Sequence, residues 1–161
     1  MKFCPSCGVT LRDQHSDQKN YMKCCSCGDL FYSGPKLVVL AVLFEKQKLL
    51  LVRRNLDPGK GFWAIPGGYV EQGEVVERAV HREILEEVGL SVIPKTLLGV
   101  YSEEGNDVCL LVYVVERDSG VLSIDIDEIQ AAEFFSLDNL PPLVFPMDTV
   151  IINDWLKWCQ N

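Results

Sequence analysis

Nowhere do the 161 residues of this sequence stay apolar for the roughly 20 positions that a membrane-crossing helix needs. The opening residues MKFCPSCG hold no apolar core of the export-signal type, so a cytoplasmic protein is expected. Positive charge is scarce: 15 Lys and Arg stand against 23 Asp and Glu, a formal net charge of −8. That balance argues against broad electrostatic attraction to nucleic acid or to an anionic membrane. It leaves phosphorylated substrates open, because a bound divalent cation inverts the local sign of an acidic pocket. No internal repeat or low-complexity tract is present. With 48% hydrophobic and 24% charged residues, the chain has enough apolar material for one ordinary globular domain and a small appendage.

Cysteine, by contrast, is plentiful and unevenly placed: five of the seven fall within the first 27 residues. Cys4-Pro-Ser-Cys7 and Cys24-Cys25-Ser-Cys27 are each followed by glycine, with sixteen residues between the two knuckles. Two cysteines three apart in a tight turn aim both sulfurs at one ion, and two such turns complete a closed tetrahedron. Cys4, Cys7, Cys24 and Cys27 are therefore read as structural Zn²⁺ ligands, with Cys25 off the knuckle spacing. The competing reading is an uncoordinated or redox-active thiol cluster. A segment this short cannot build its own core, so metal would supply its folding free energy. His15, between the knuckles, is read as a surface residue. The domain boundaries expected are a zinc ribbon at 1–34 and a second domain at 35–161.

Past a turn-like linker at 31–35, KLVVLAVLF (36–44) is a continuous β-branched and leucine run that suits a strand buried on both faces. KLLLVRR (48–54) reads as its hairpin partner, and NLDPGKG (55–61) as loop. Val75 to Val88 reads as a helix, because Val76, Val80, Ile84 and Val88 recur every four residues, with Gly89 as its C-cap. Further strands are expected at 91–102, 107–116 and 129–136, and a closing amphipathic helix at 147–159. The fold class that follows is α/β, a sandwich with a mixed sheet.

The segment Gly67 to Leu90 holds six glutamates, three of them, Glu83, Glu86 and Glu87, within five residues. On a helix these three share one face spread over about 100° of arc, bordering the apolar stripe. Like charges so placed repel by roughly 0.2–0.5 kcal/mol per pair, so the cluster calls for cations. Carboxylate oxygens are hard ligands matched to Mg²⁺ or Mn²⁺.

Gly68, five residues, Glu74, seven residues, and then Arg82-Glu83-Ile84-Leu85-Glu86-Glu87-Val88-Gly89-Leu90 resemble the Nudix box without a departure. The preceding Trp63-Ala-Ile-Pro66-Gly67-Gly68 and the strand run 37–54 look like that family's approach to the box. The resemblance implies a Nudix-type α/β/α sandwich and a pyrophosphohydrolase that splits a nucleoside diphosphate linked to another moiety. It implies Glu83, Glu86, Glu87 and the Gly68 carbonyl as metal ligands, and Glu74 with Arg82 as a structural ion pair. Glu86 and Glu83 are the candidates for general base, Glu86 preferred. Asp127-Glu128-Ile129-x-x-Ala132-x-Phe134-Phe135 is similar to a stretch of zinc-ribbon Nudix enzymes in which the glutamate adds a metal ligand. Glu128 would fill that place, and a plain loop acid is the alternative.

Other residues carry two readings each. Arg53 and Arg54 end a strand and could meet phosphate, or lie solvated. Trp63 could stack on a base or pack beneath the loop. His81 is read as an edge residue, Cys109 as core, and Trp155 and Trp158 as core or interface. A ribbon ahead of a Nudix domain resembles the NADH, ADP-ribose and FAD pyrophosphatases. The Ser-Gln-Pro-Trp-Pro-Phe-Pro tract of the NADH branch is absent, and Asn106 stands where one ADP-ribose group has proline. ADP-ribose is the first expectation, then NADH or FAD. The rival is a nucleotide-sensing or RNA-associated binding module that uses the ribbon, which the thin basic content of 1–34 disfavours. Expected partners are a small-molecule nucleotide and a second copy of the chain, with no membrane.

Overall fold

In the computed structural model, which describes residues 3–11, 21–32 and 34–160, the chain divides into two compact units, Met1–Pro35 and Lys36–Asn161. His15 lies outside the described residues. In the first unit β1 (Tyr21–Lys23) and β2 (Leu30–Tyr32) pair antiparallel, Tyr21 opposite Tyr32. Its interior is small, with Cys4, Leu11 and Cys24 buried and Met22 and Phe31 packed on them.

The second unit is a mixed sheet between two helices. It contains β3 (Lys36–Glu45), β4 (Lys48–Arg54), β5 (Trp63–Ala64), β6 (Gly67–Tyr69), α1 (Val76–Val88), β7 (Leu90–Ser102), β8 (Val108–Gly120), β9 (Ile129–Ser136) and α2 (Pro146–Cys159). Successive side chains of a strand face opposite sides of a sheet, and β3 and β4 use both. Val39, Ala41, Leu43, Leu50 and Val52 join Ala79, Val80, Ile84 and Val88 of α1 in one core. Leu40, Val42, Leu49 and Leu51 join Ile151, Ile152 and Trp155 of α2 in the other. An uninterrupted apolar run is what a strand covered on both faces requires. The expected α/β/α sandwich is the fold observed.

The strand order is β5-β4-β3-β8-β7, with β6 also on β3 and β9 also on β4. β3 runs parallel to β8 from Lys36 opposite Val108 to Leu43 opposite Val115. Its other edge is shared. β6 covers Val38 to Leu40, and β4 joins at Phe44 and Glu45. This split edge brings Gly67 and Gly68 to the middle of the sheet. Pro94 falls inside β7, which is tolerated because β7 is an edge strand whose pairing shifts register between Pro94 and Thr96. β8 continues four residues past its expected end at 116, because Leu90 to Val92 pair with Arg117 to Gly120. Trp155 is core, whereas Trp158 is 47% exposed. Cys109 is only half-buried. No helix among the described residues is long and apolar enough to cross a membrane.

Candidate active site

Helix α1 ends at Gly89, a left-handed C-cap (φ 69°) whose N–H donates to the Leu85 carbonyl at 3.0 Å. Its apolar stripe fixes the helix against the sheet, and this rotation sets where the glutamates project. Arg82 organises them. Its Nε donates to Glu74 Oε1 and its Nη2 to Glu74 Oε2, both at 2.8 Å. Nη1 donates to Glu83 Oε1 at 2.8 Å and to Glu86 Oε2 at 3.0 Å, and Nη2 also reaches the Tyr69 carbonyl at 3.0 Å. The paired fork on Glu74 is the strong, directional form of an Arg–carboxylate contact. Glu74 Oε2 also accepts from the Glu71 N–H at 2.9 Å, closing the turn ahead of the helix. One guanidinium thereby ties the loop at 69–74 to two of the three helix acids.

The third acid is held from the sheet. Glu87 is 6% exposed, and its Oε2 accepts from the Gly67 N–H at 2.9 Å. Glycine is required at 67, and at 68 a side chain would push the Glu83 carboxylate out of place. A Cβ on Gly67, at φ 148°, would overlap the Val39 carbonyl, and one on Gly68 would overlap the Glu83 carboxylate. The backbone of β6 thus lies directly against Glu83 and Glu87 of α1.

Arg82 holds Glu74 down to about 2, helped by the Glu71 N–H. Burial raises Glu83 against the pull of Arg82, with Glu86 and Glu128 adding to the rise. Burial likewise pushes Glu87 up to about 8; the Gly67 N–H and Arg54 oppose this, and Glu83 and Glu128 reinforce it. Glu128 therefore lies within electrostatic reach of both acids. Its loop is pinned by hydrogen bonds: Asn55 N–H donates to the Glu128 carbonyl at 2.7 Å, Asn55 Nδ2 to the Ile126 carbonyl at 2.9 Å, and the Asp125 N–H to the Glu87 carbonyl at 3.2 Å. A group of oxygen donors whose full negative charge is disfavoured without a counter-ion suits a hard divalent cation. Glu86 is the accessible member, 60% exposed.

Gly67 and Gly68, which Glu87 and Glu83 meet, line a cleft of about 410 Å³ together with Arg54, Tyr69, Tyr101 and Asp148 among others. Arg54 donates from Nε to the Pro58 carbonyl at 2.8 Å, and its guanidinium lies 5.5 Å over the Phe145 ring. Arg53 is turned to the Gly61 carbonyl at 2.8 Å. Trp63 does not line this cleft. Its ring packs edge-on against Phe135 with centroids 4.7 Å apart, against the α2-side core. His81 Nδ1 pairs with the Val92 carbonyl at 3.0 Å and stays away from the acids.

Asp148, in the first turn of α2, is a site residue that sequence reasoning passed over. It is 2% exposed, and burial pushes it up to about 7 against the pull of the Ile65 N–H and Arg54. An acid in a helix's first turn is ordinary, so no local signal distinguished it.

In the first unit, the two knuckles are built alike. Cys4 N–H donates to the Val9 carbonyl at 2.8 Å and Cys24 N–H to the Asp29 carbonyl at 2.8 Å, while Gly8 and Gly28 turn back to the Cys4 and Cys24 carbonyls. The Sγ atoms of Cys4 and Cys27, and of Cys7 and Cys24, are 3.6 Å apart, and all four lie within 4.8 Å of one another. Ligands at about 2.3 Å around a tetrahedral Zn²⁺ stand about 3.8 Å apart, so the thiols fit that ion. The Cys27 and Ser26 N–H groups bring Cys24 down to about 6. Cys27 goes the other way: the Asp29 N–H lowers it, but burial and the neighbouring thiols carry it up to about 12. Cys25 is exposed and outside the group. Among the described residues, no comparable knot of carboxylates is gathered as tightly, because Arg82 and the Gly67 N–H hold the glutamates in two directions.

Known proteins are similar to this chain in sequence and fold. An ADP-ribose pyrophosphatase of Methanocaldococcus jannaschii is 43% identical over 131 residues, covering 79% of this chain and 76% of that protein. A NAD-capped RNA hydrolase NudC of Vibrio cholerae is 31% identical over 151 residues, 93% of this chain but 54% of that protein. The chain thus spans about half the length of that NudC relative. A crystal structure of a NUDIX hydrolase from Nitrosomonas europaea superposes with a TM-score of 0.86 at 25% identity, covering 98% of this chain and 91% of that one. The NUDIX domain family profile matches residues 34–159, and the chain is accordingly a member of the Nudix hydrolase family, a pyrophosphohydrolase.

Proposed function

We propose that the protein hydrolyses the diphosphate of a nucleoside diphosphate joined to a second moiety, with ADP-ribose as first substrate and NADH or FAD behind it. The observation that carries this reading is the placing of Glu87 on the Gly67 N–H and of Glu83 against Gly68, with Arg82 bridging Glu83 to Glu86, beside a cleft that Gly67, Gly68 and Arg54 line. The 43% identity to an ADP-ribose pyrophosphatase supports the choice of substrate.

Glu83, Glu86, Glu87, Glu128 and the Gly68 carbonyl would hold Mg²⁺ or Mn²⁺, which supplies charge neutralisation of the phosphates and activation of water. Arg82 keeps two of these acids in place while Glu74 anchors it. The Gly67 N–H orients Glu87. Arg54, fixed by the Pro58 carbonyl, offers its remaining N–H groups to a phosphate oxygen. Glu86, open to solvent, takes a proton from water as the water oxygen bonds to phosphorus and the bridging P–O bond breaks. ADP-ribose would yield AMP and ribose 5-phosphate. Trp63, packed on Phe135, is not assigned to the substrate. Cys4, Cys7, Cys24 and Cys27 would hold a structural Zn²⁺ with no open position.

The test is a panel of ADP-ribose, NADH, FAD, nucleotide sugars and nucleoside triphosphates with Mg²⁺, read by product identity. Mononucleotide release from ADP-ribose is the expected result. Turnover of triphosphates alone would overturn the substrate class. A gel shift on RNA at moderate salt, with no hydrolysis of any compound, would favour the binding-module reading instead.

A further inference from the structure

Asp148 belongs to none of the groups that hold the hydrolytic centre, yet it is almost completely buried on the wall of the same cleft. Burying a carboxyl is costly unless something compensates it, and the usual compensations are missing. It is not a helix cap: α2 has no side-chain cap hydrogen bond, and its N-cap residue is Phe145. Nor does it form an ion pair with any described residue. Arg54 acts on it only at a distance, with Nε committed to the Pro58 carbonyl and its guanidinium laid over Phe145. One oxygen, Oδ2, accepts from the Ile65 N–H at 3.4 Å, near the limit of a hydrogen bond. The other, Oδ1, has no donor among the described residues. Among the described residues no sealed side-chain oxygen lacks a partner, so Oδ1 retains access to the cleft.

The surroundings restrict what can approach that oxygen. Tyr69, Tyr101, Phe145 and Met147 give the cleft flat and apolar walls beside Asp148. Ile65 lies two residues ahead of Gly67, which places the acid next to the diphosphate end and within reach of a nucleoside. Once ionised, Asp148 repels an anionic group, and a carbonyl edge facing the carboxylate leaves both partners without a donor.

We propose that Asp148 accepts a hydrogen bond from an uncharged donor on the nucleoside part of the substrate, an exocyclic amine of the base or a sugar hydroxyl. Asp148 thereby sets which nucleotides the cleft admits. This inference rests on the nucleotide reading of the site given above. It concerns selection alone, since Asp148 takes no part in transferring the phosphoryl group.

The test measures dissociation constants for AMP, IMP and 2′-deoxy-AMP at pH 8.5, where Asp148 is ionised, on the full chain with Mg²⁺, in the native protein and in Asp148→Asn and Asp148→Ala. IMP replaces the amine with a carbonyl, and the deoxynucleotide lacks the hydroxyl. The native protein should bind AMP at least about ten-fold more tightly than one of the two analogues, in line with a charge-assisted hydrogen bond. The weakened analogue identifies the donor. In Asp148→Asn, whose amide supplies a donor of its own, that preference should fall below about three-fold or, for IMP, reverse. Asp148→Asn keeps the shape and the Ile65 contact, so it reports even if the alanine variant unfolds. Native affinities agreeing within about three-fold, or an unchanged ratio in the folded Asn variant, would overturn the proposal. Because the readout is binding, it stands apart from the hydrolysis panel: lack of turnover condemns the proposed reaction, and an unchanged ratio condemns only the role of Asp148.

Discussion

Replacing Asp148 with Asn should stabilise the protein, and by an amount that depends on pH. The carboxyl has an ordinary value of 3.8 and is pushed up to about 7 by burial in the folded protein. Between those two values the folded state holds the proton more tightly than the unfolded chain, so folding takes up a proton and stability falls as pH rises. Above about pH 7 the loss is complete. At about 1.4 kcal/mol per pH unit, the gap amounts to about 4 kcal/mol. Residual access to the cleft and relaxation around the ionised group will reduce that, so an effect of about 2–4 kcal/mol is expected at pH 8. An amide of the same shape keeps the Ile65 hydrogen bond and has no proton to take up. Urea unfolding of both proteins at pH 4.5 and 8 gives the comparison, and Glu74 and Glu87 titrate in both and cancel. The variant should gain little at the lower pH and several kcal/mol at the higher. A stability difference that is the same at the two pH values would show that Asp148 is not a buried, reluctantly ionised acid. The wider implication is that this acid is retained against a cost in stability, as functional groups are.

Glu86→Gln and Glu87→Gln should each lower Mg²⁺-dependent turnover by about 10²-fold or more with the fold preserved by circular dichroism, and near-native rates for both would dismantle the proposed metal centre. Glu74, held down to about 2 from an ordinary 4.5, contributes stability that is present above about pH 4.5 and lost as pH falls towards 2. Acid titrations of Glu74→Gln should therefore show a shallower loss of stability over that window than the native protein. Cys7→Ser should release zinc and lower the melting temperature of the first unit; zinc content of one per chain and an unchanged melt would count against a tetrathiolate site.

How far these features could be read without coordinates depended on how local their causes are. Glu74, Arg82 and the three helix acids stand within fourteen residues of one another, and a four-residue apolar period alone orients their helix. The knuckles are equally local, since a cysteine, two residues and a second cysteine define the turn that aims both sulfurs. β5 and β6 offered no such handle. With two and three residues, they exist as strands through pairing with β4 and β3, which is a long-range condition. The polar end of β8 escaped for the same reason, as Arg117 to Gly120 are held by the first residues of β7.

The sequence by itself determined the two-face burial of β3 and β4, the amphipathic α1 with its glycine stop, the paired thiol knuckles and the membership of the acidic box. All of these follow from side-chain periodicity or from spacings shorter than a few helical turns. Tertiary structure alone decided that Trp63 packs on Phe135 outside the cleft, that the loop carrying Glu128 docks on Asn55 near Glu83 and Glu87, and that Asp148 is buried beside Ile65. Each depends on segments about 70 to 83 residues apart being brought together by the pairing of β4 with both β5 and β9 and by the packing of α2. No pattern within a single segment carries that information.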